Sequence, residues 1–190
     1  MVIVRPLDIP EVLEIVPEKY GDHRGFFSEV WSRARLAEQG VDLDWVQDNQ
    51  SFSVARGVLR GLHYQTPPFA QAKLVRVIRG SIWDVAVDIR RGSPTYGRWA
   101  ALTVSAEKWN QVLVPAGFAH GFVTLEPDCE VLYKVSAVYA PGQDRSIRFD
   151  DPALAIDWPV AGEEVILSDK DRDAPTLADS DTGFIHGVTA

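Results

Sequence analysis

The sequence predicts an all-β fold, a closed barrel or two-sheet sandwich with short helices at its periphery. Three observations carry that reading. Period-two alternation of apolar and polar residues recurs through the middle of the chain; Gly, Pro and Asp turns interrupt it at short intervals; and helical periodicity is confined to one short stretch. Several strands of this length and spacing are the signature of a barrel or sandwich. No internal repeat or low-complexity linker divides the 190 residues, which suit one well-buried core, so one domain over residues 1–190 is expected.

In chain order, DHRGFFSEVW brings Arg24, Phe27 and Glu29 close together. The arginine offers a fork for phosphate, and the aromatic offers a face for a flat base. Residues 32–39 (SRARLAEQ) form the one helical stretch, with Ser32 as its cap and Gly40 as its stop. In VQDNQS, Gln47 and Asn49 lie two apart, so a strand there turns both amides to one side. On these residues alone, solvated polar loops around an edge strand account for the two segments better.

The run KLVRVIRGSIWDVAVDIRRGSPTYGRWAALTVS begins at Lys73, whose alternation partners are Val75 and Val77. That pattern turns Lys73 to an apolar interior face, where an ammonium is costly unless it serves a purpose; a strand-end lysine snorkelling to solvent fits the same text. Past a turn at Arg79 and Gly80, Trp83, Val85, Val87 and Ile89 share one face, and Asp84, Ala86 and Asp88 the other. Glu126, Pro127 and Asp128 make the next turn. Beyond it Cys129, Val131, Tyr133 and Val135 share an apolar face, opposite Glu130 and Lys134. The last third, rich in Pro and Asp, is expected to wrap the barrel as loops and short turns.

Composition bounds the function. Hydrophobic residues make up 46% and charged residues 24%, an ordinary globular balance, and the formal net charge of −8 disfavours nucleic acid as a partner. No run approaches the ~20 apolar residues that cross a bilayer. The N-terminal text lacks the pattern of a secretory signal, and the single Cys129 leaves no internal disulfide and no thiolate cluster. The cytoplasm is the expected compartment, with no membrane partner.

Two segments concentrate chemistry: RGLHYQTPPFAQAKLVRVIRG, with Arg60, His63 and Lys73, and VLVPAGFAHGF, with His120. Their layout resembles the two motifs of cupins, which are double-stranded β-helix (jelly-roll) barrels. Metal-binding cupins place His-x-His and Glu in the first motif and His in the second. Here Gln65 and Lys73 stand at the second histidine and near the acidic ligand. An ammonium repels a divalent cation, so two histidines and a lysine are a poor metal set. They are a good set for moving protons beside a carbonyl, with a histidine base and a lysine facing the oxygen that gains charge. Either histidine alone reads as a hydrogen-bonded barrel residue, and Tyr133 alone as a core tyrosine; the combination reads as a site.

The segments DHRGFFSE, QDNQS, GVLRGLHYQ, AKLVRVIRG, IWDVAVDIRRGSPTYG, VPAGFAHGF, YKVSAVYAP, IDWP and ILSDKD, in this order, resemble the dTDP-4-dehydrorhamnose 3,5-epimerase family. The resemblance runs from about Asp22 to Asp171. It implies a cupin-like jelly-roll barrel that inverts C3 and C5 of dTDP-4-dehydro-6-deoxy-D-glucose without metal or other cofactor. His63 would be the base, Asp171 rather than Asp169 its orienting carboxylate, Lys73 the partner of the enolate oxygen and Tyr133 the acid on the opposite face. Arg24, Phe27, Glu29, Gln47, Asn49, Arg60, His120, Tyr139 and Lys170 would bind the nucleotide sugar. The resemblance further implies a homodimer in which N-terminal residues of one subunit serve the nucleotide of the other. An epimerase acting at one carbon is the alternative, because the same histidine and lysine would serve it.

Overall fold

The computed structural model describes residues 2–160 and 164–188. Its first strands are β1 (Ile3–Pro6), β2 (Leu13–Val16), β3 (Tyr20–Asp22) and β4 (Gly25–Phe27), followed by helix α1 (Arg33–Ala37). Then come β5 (Gln47–Ser53), β6 (Leu59–Gln65), β7 (Lys73–Arg79), β8 (Ser81–Asp88) and β9 (Trp99–Ser105). The series closes with β10 (Gln111–Val114), β11 (Phe118–Thr124), β12 (Cys129–Val135), β13 (Asp144–Ser146) and helix α2 (Asp169–Arg172).

Two antiparallel sheets face each other. One runs β1-β2-β10-β7-β12-β5 and the other β13-β6-β11-β8-β9, while β3 and β4 pair as a separate ribbon. The expected all-β jelly-roll architecture with short peripheral helices is therefore present. The turns at Gly80 and at residues 125–128 join strands of different sheets, so each is a corner of the barrel and not a hairpin. Gly80 has φ +77°, and a Cβ there would stand 2.6 Å from Cys129 Sγ, which leaves glycine as the residue that turns this corner.

Between the sheets lies the main core. Val75 and Val77 of β7, Val112 and Val114 of β10, and Cys129 and Val131 of β12 meet Ile82 and Ala86 of β8, Ala100 and Val104 of β9, and Phe118 and Phe122 of β11. Lys73 shares the face of Val75 and Val77 and is 8% exposed, so its alternation pointed inward as the sequence suggests. On β8 the inward face is the one carrying Asp84 and Ala86. The apolar Trp83–Val85–Val87 face turns outward, where Leu154, Leu177 and Phe184 of the C-terminal segment bury it. A strand covered on both sides has no polar face to show to water, so hydrophobicity alone misranks its two sides. The wrapping by the last third is thus structural: Trp158 packs edge-on to Trp83 at 5.2 Å and donates its indole N–H to the Phe149 carbonyl at 2.9 Å.

Helix α1 is shorter than the sequence stretch. Ser32 occupies the N-cap position with extended backbone, but its side chain caps nothing; Gly40, at φ +84°, ends the segment. Leu36 docks the helix on Ile15, Leu74 and Leu113, the outer face of the six-stranded sheet.

Candidate active site

The interior opens at one end into a cavity of about 420 Å³. Arg60, His63, Lys73, His120, Tyr133 and Asp171 line it, together with Ser51, Phe122 and Ser168. The sequence scatters these residues over more than a hundred positions; the strand pairing collects them. His63 of β6 and His120 of β11 are direct cross-strand partners in the five-stranded sheet. Lys73 of β7 and Tyr133 of β12 come from adjacent strands of the opposing sheet. The two imidazoles therefore occupy one wall, and the ammonium and the phenol the other.

A bulge shapes the first wall. Between the pairs His120–His63 and Phe122–Arg60, β6 carries Gly61 and Leu62 where β11 has only Gly121. The extra residue resets the alternation, so that Arg60 and His63, three apart in sequence, both face the cavity. Glycine is required at this contact: Gly61 has φ +127°, and a Cβ on it would stand 2.5 Å from the Gly121 Cα.

His63 Nε2 lies 2.5 Å from Asp171 Oδ1. A carboxylate only accepts, so Nε2 carries the proton and the lone pair resides on Nδ1. Asp171 sits in the single turn of α2, where Ser168 Oγ donates to Asp171 Oδ2 at 2.8 Å and accepts from the Asp171 amide at 3.2 Å. Burial alone would raise the Asp171 carboxyl; the hydrogen bond and charge of His63, the Ser168 hydroxyl and Lys170 outweigh it and hold the carboxyl below its ordinary range.

On the facing wall, Lys73 Nζ donates to the His63 carbonyl at 3.3 Å. Burial pushes its ammonium down to about 8, against the opposing pull of Asp144 and Asp84. Burial raises the Tyr133 phenol, with Arg60 drawing it back and Asp144 adding to the rise, so the group is a neutral donor at physiological pH. His120 Nε2 meets Asp84 Oδ2 at 2.8 Å, and burial lowers this imidazole against Asp84.

A second set of residues forms the polar rim. Gln47 and Asn49 do share a face of edge strand β5, and the Gln47 amide donates to Asn49 Oδ1 at 2.7 Å. Gln47 Oε1 accepts from the Tyr139 amide at 3.1 Å, while the Tyr139 hydroxyl reaches Asp144 Oδ2 at 3.2 Å and Lys170 Nζ reaches the same oxygen at 2.5 Å. Arg60 donates to the Phe52 carbonyl at 3.2 Å.

Arg24, Phe27 and Glu29 stand apart from the cavity. Arg24 and Phe27 line a depression on the β3–β4 ribbon, where Arg24 pairs with Asp22 at 2.5 Å and Phe27 is 70% exposed. Glu29 pairs with Arg35 at 2.8 Å.

Four participants escaped the sequence reading: Ser51, Asp84, Asp144 and Ser168. Ser168 and Asp171 have the spacing of a helix-capping pair, and Asp84 lies on a strand too apolar to leave a carboxylate idle; both signals were legible. Ser51 continues the Gln47–Asn49 alternation. Asp144 carries no local signal. The donor set also matters for metal. Gln65 commits its amide to the Phe69 and Val138 carbonyls and the Ala140 amide, and among the described residues no three His, Cys, Asp or Glu side chains cluster as ligands.

Facing sheets, with two imidazoles on one wall of the cavity and an ammonium and a phenol on the other, define a cupin-like jelly-roll architecture with a set of titratable groups at its open end. The family model described as dTDP-4-dehydrorhamnose 3,5-epimerase matches residues 6–179. The chain belongs to this family. It is 49% identical over 178 residues to the dTDP-4-dehydrorhamnose 3,5-epimerase of Sinorhizobium fredii, covering 94% of this chain and 91% of the relative. The solved Legionella pneumophila dTDP-6-deoxy-D-glucose-3,5-epimerase, in complex with dTDP-4-keto-L-rhamnose, superposes with a TM-score of 0.93 at 44% identity over the whole of both chains. A 3′-monoepimerase from Streptomyces bikiniensis, bound to dTDP-quinovose, gives a TM-score of 0.85 at 39% identity, covering 92% of this chain and 87% of that one. Among the described residues no helix is long and apolar enough to cross a membrane.

Proposed function

We propose that this protein inverts C3 and C5 of dTDP-4-dehydro-6-deoxy-D-glucose, giving dTDP-4-dehydro-L-rhamnose, by a base on one wall of the cavity and an acid on the other. The observation that carries the reading is the placement of His63 and Tyr133 on opposing sheets. Inversion needs a proton removed from one face of a carbon and another delivered to the opposite face, and one group cannot do both.

The C4 ketone acidifies the neighbouring C–H bonds. His63 Nδ1 takes the proton, the C–H electron pair moves into the C–C bond, and the carbonyl oxygen becomes an enolate. Asp171 stabilises the imidazolium so formed, and Lys73 faces the enolate oxygen with its positive charge. Tyr133 then protonates the carbon from the other side and is reprotonated by solvent, while His63 loses its proton to solvent. The two centres flank the same ketone, so the same four side chains serve both in turn. Arg60 takes the diphosphate, His120 accepts from a sugar hydroxyl through its unprotonated Nδ1, and Gln47, Asn49, Tyr139 and Lys170 hold the nucleotide at the rim.

Arg24, Phe27 and Glu29 complete a nucleotide site only if they serve a second copy, which fits their exposure on and just after the β3–β4 ribbon. The protein accordingly acts as a cytoplasmic homodimer, and light scattering of the purified chain is expected to give twice the monomer mass.

Proton NMR of the keto-sugar with the protein in deuterated buffer tests the reaction. Loss of both the C3 and C5 proton signals is expected. Loss of one alone would establish a single-centre epimerase, and loss of neither would refute the reading.

A further inference from the structure

Asp84 is the least explained charge in the molecule. It is 1% exposed on the inward face of β8, its Oδ2 meets His120 Nε2 at 2.8 Å, and its Oδ1 has no hydrogen-bond partner among the described residues. A buried carboxylate oxygen without a partner forfeits the hydration it would have in water, so its retention calls for an explanation. Asp84 does not itself line the cavity; His120 stands between. In the antiparallel register His120 pairs with Ala86 and Phe122 with Asp84, which makes Asp84 and His120 diagonal neighbours on one face.

Lys73 presents the complementary problem. It is 8% exposed, and its one hydrogen bond among the described residues goes to a neutral carbonyl, that of His63, at 3.3 Å. The titratable groups around it are Asp84 on β8, His120 on β11, His63 on β6, Tyr133 on β12, Asp144 on β13 and Lys170 on α2. Among the described residues only Asp144, the stronger, and Asp84 raise its affinity for a proton; Lys170 opposes them. Asp144 is already shared by Tyr139 and Lys170 at the rim. Among the described residues Asp84 bonds to His120 alone.

We propose that Asp84 is a positioning residue of this site: it fixes His120 through Nε2 and, alongside Asp144, supplies the negative charge that keeps Lys73 an ammonium. The consequence for rate rests on the reading of function given above; the electrostatic role does not. Below pH about 8 Lys73 is charged and can face an enolate; above it the proton is lost and with it the stabilisation. Replacing Asp84 by Asn keeps a hydrogen-bond acceptor for His120 but removes the charge. Burial then acts with less opposition, and the Lys73 transition moves to lower pH.

The experiment is a titration of the Lys73 ε-methylene signal by carbon-detected NMR in free wild-type and Asp84→Asn protein, assigned with Lys73→Met. The expected shift is on the order of one pH unit downward in the variant. The alkaline limb of kcat/KM for proton exchange is expected to move by the same amount. An unchanged Lys73 midpoint in Asp84→Asn would overturn the proposal, whatever the activity. Should that variant fail to fold, His120→Gln asks the same question, because it leaves Asp84 in place. Its Lys73 midpoint is expected to stay near that of the wild type, and a fall would overturn the assignment to Asp84. Wild-type protein that exchanges no sugar proton, with Lys73 titrating as expected in both forms, would refute the functional reading and leave this role of Asp84 standing.

Discussion

Replacing Asp171 by Asn tests the base of the mechanism with the least change in shape. The side chain is 4% exposed, and both of its oxygens are committed, one to His63 Nε2 at 2.5 Å and the other to Ser168 Oγ at 2.8 Å. In the variant the amide oxygen can keep accepting from His63, and the new N–H₂ can donate to Ser168 Oγ, whose hydroxyl proton is free to turn away. Orientation and tautomer of His63 are thereby retained, and only the charge is lost. A hydrogen bond to a charged group contributes about 1.5–3 kcal/mol and a neutral one about 0.5–1.5 kcal/mol, so the bond that remains is weaker by about 1–1.5 kcal/mol. That difference matters only once His63 has taken a proton. It leaves the free-enzyme ground state largely untouched and is withdrawn from the transition state, so kcat is expected to fall about 5- to 13-fold. KM is expected to hold, because Asp171 reaches the substrate only through His63. The assay is initial loss of the C3 and C5 proton signals in deuterated buffer over a range of sugar concentrations, with thermal unfolding as the control for folding. A folded variant with kcat near that of the wild type would refute the dyad as the source of basicity. A rise in KM at constant kcat would instead make Asp171 a binding residue.

Tyr133→Phe is expected to separate two events that the wild type couples: His63 still exchanges a sugar proton with solvent, while inverted product falls by about 10²- to 10⁴-fold, as followed by chromatography of the sugars. Gly61→Ala forces a Cβ to 2.5 Å from the Gly121 Cα at a positive φ, and is expected to destabilise the fold by on the order of 3 kcal/mol, read as a drop in thermal midpoint. Asp88→Ala removes a 0% exposed carboxylate that accepts from Arg90, Ser93 and Thr95; Arg90 keeps Glu11 as a second partner, so a loss of about 3 kcal/mol, or about 6–12 °C in Tm, is expected. Burial would raise the Asp88 carboxyl, but these hydrogen bonds hold it below the ordinary range. Its contribution to stability is therefore present at neutral pH and is lost as pH falls through and below the normal carboxylate range, which acid unfolding of wild type against Asp88→Ala measures.

Local alternation was enough to indicate an all-β barrel or sandwich and an inward direction for Tyr133, whose neighbours two positions away are apolar and buried. For Lys73, at a strand start, it offered an inward direction beside a snorkelling one, and the jelly roll came from the motifs. Alternation leaves the two faces of β8 unranked, because a second apolar layer, Leu154, Leu177 and Phe184, covers the outer face from far along the chain. It also failed to relate Arg60 to His63. Strict period two sets residues three apart on opposite faces, and the bulge at Gly61 and Leu62 that reunites them is a property of the pairing with β11. Asp144 was invisible for a similar reason: nothing in DRS announces that its carboxylate will collect Tyr139 and Lys170. Motif resemblance supplied the list of site residues, and the geometry divides that list in two. The residues of the strand interior converge on one cavity, whereas Arg24 and Phe27 lie on the β3–β4 ribbon and Glu29 just beyond it, apart from that cavity.

The division of labour between the sheets explains why this architecture suits inversion. Each wall offers side chains from adjacent strands, so groups on one wall are fixed relative to each other by backbone hydrogen bonds, and the gap between walls is fixed by the core beneath them. Both imidazoles on the first wall are backed by a carboxylate, yet the two dyads differ in exposure: His63 is 31% exposed in its side chain, His120 only 8%. The more exposed ring can return its proton to solvent after each turnover, which a base acting at two carbons in succession must do. The buried ring cannot exchange as freely and suits a fixed acceptor. In the proposed reaction, burial therefore suits the two histidines to different work even though their hydrogen bonding is alike: proton traffic at His63 and a fixed acceptor at His120.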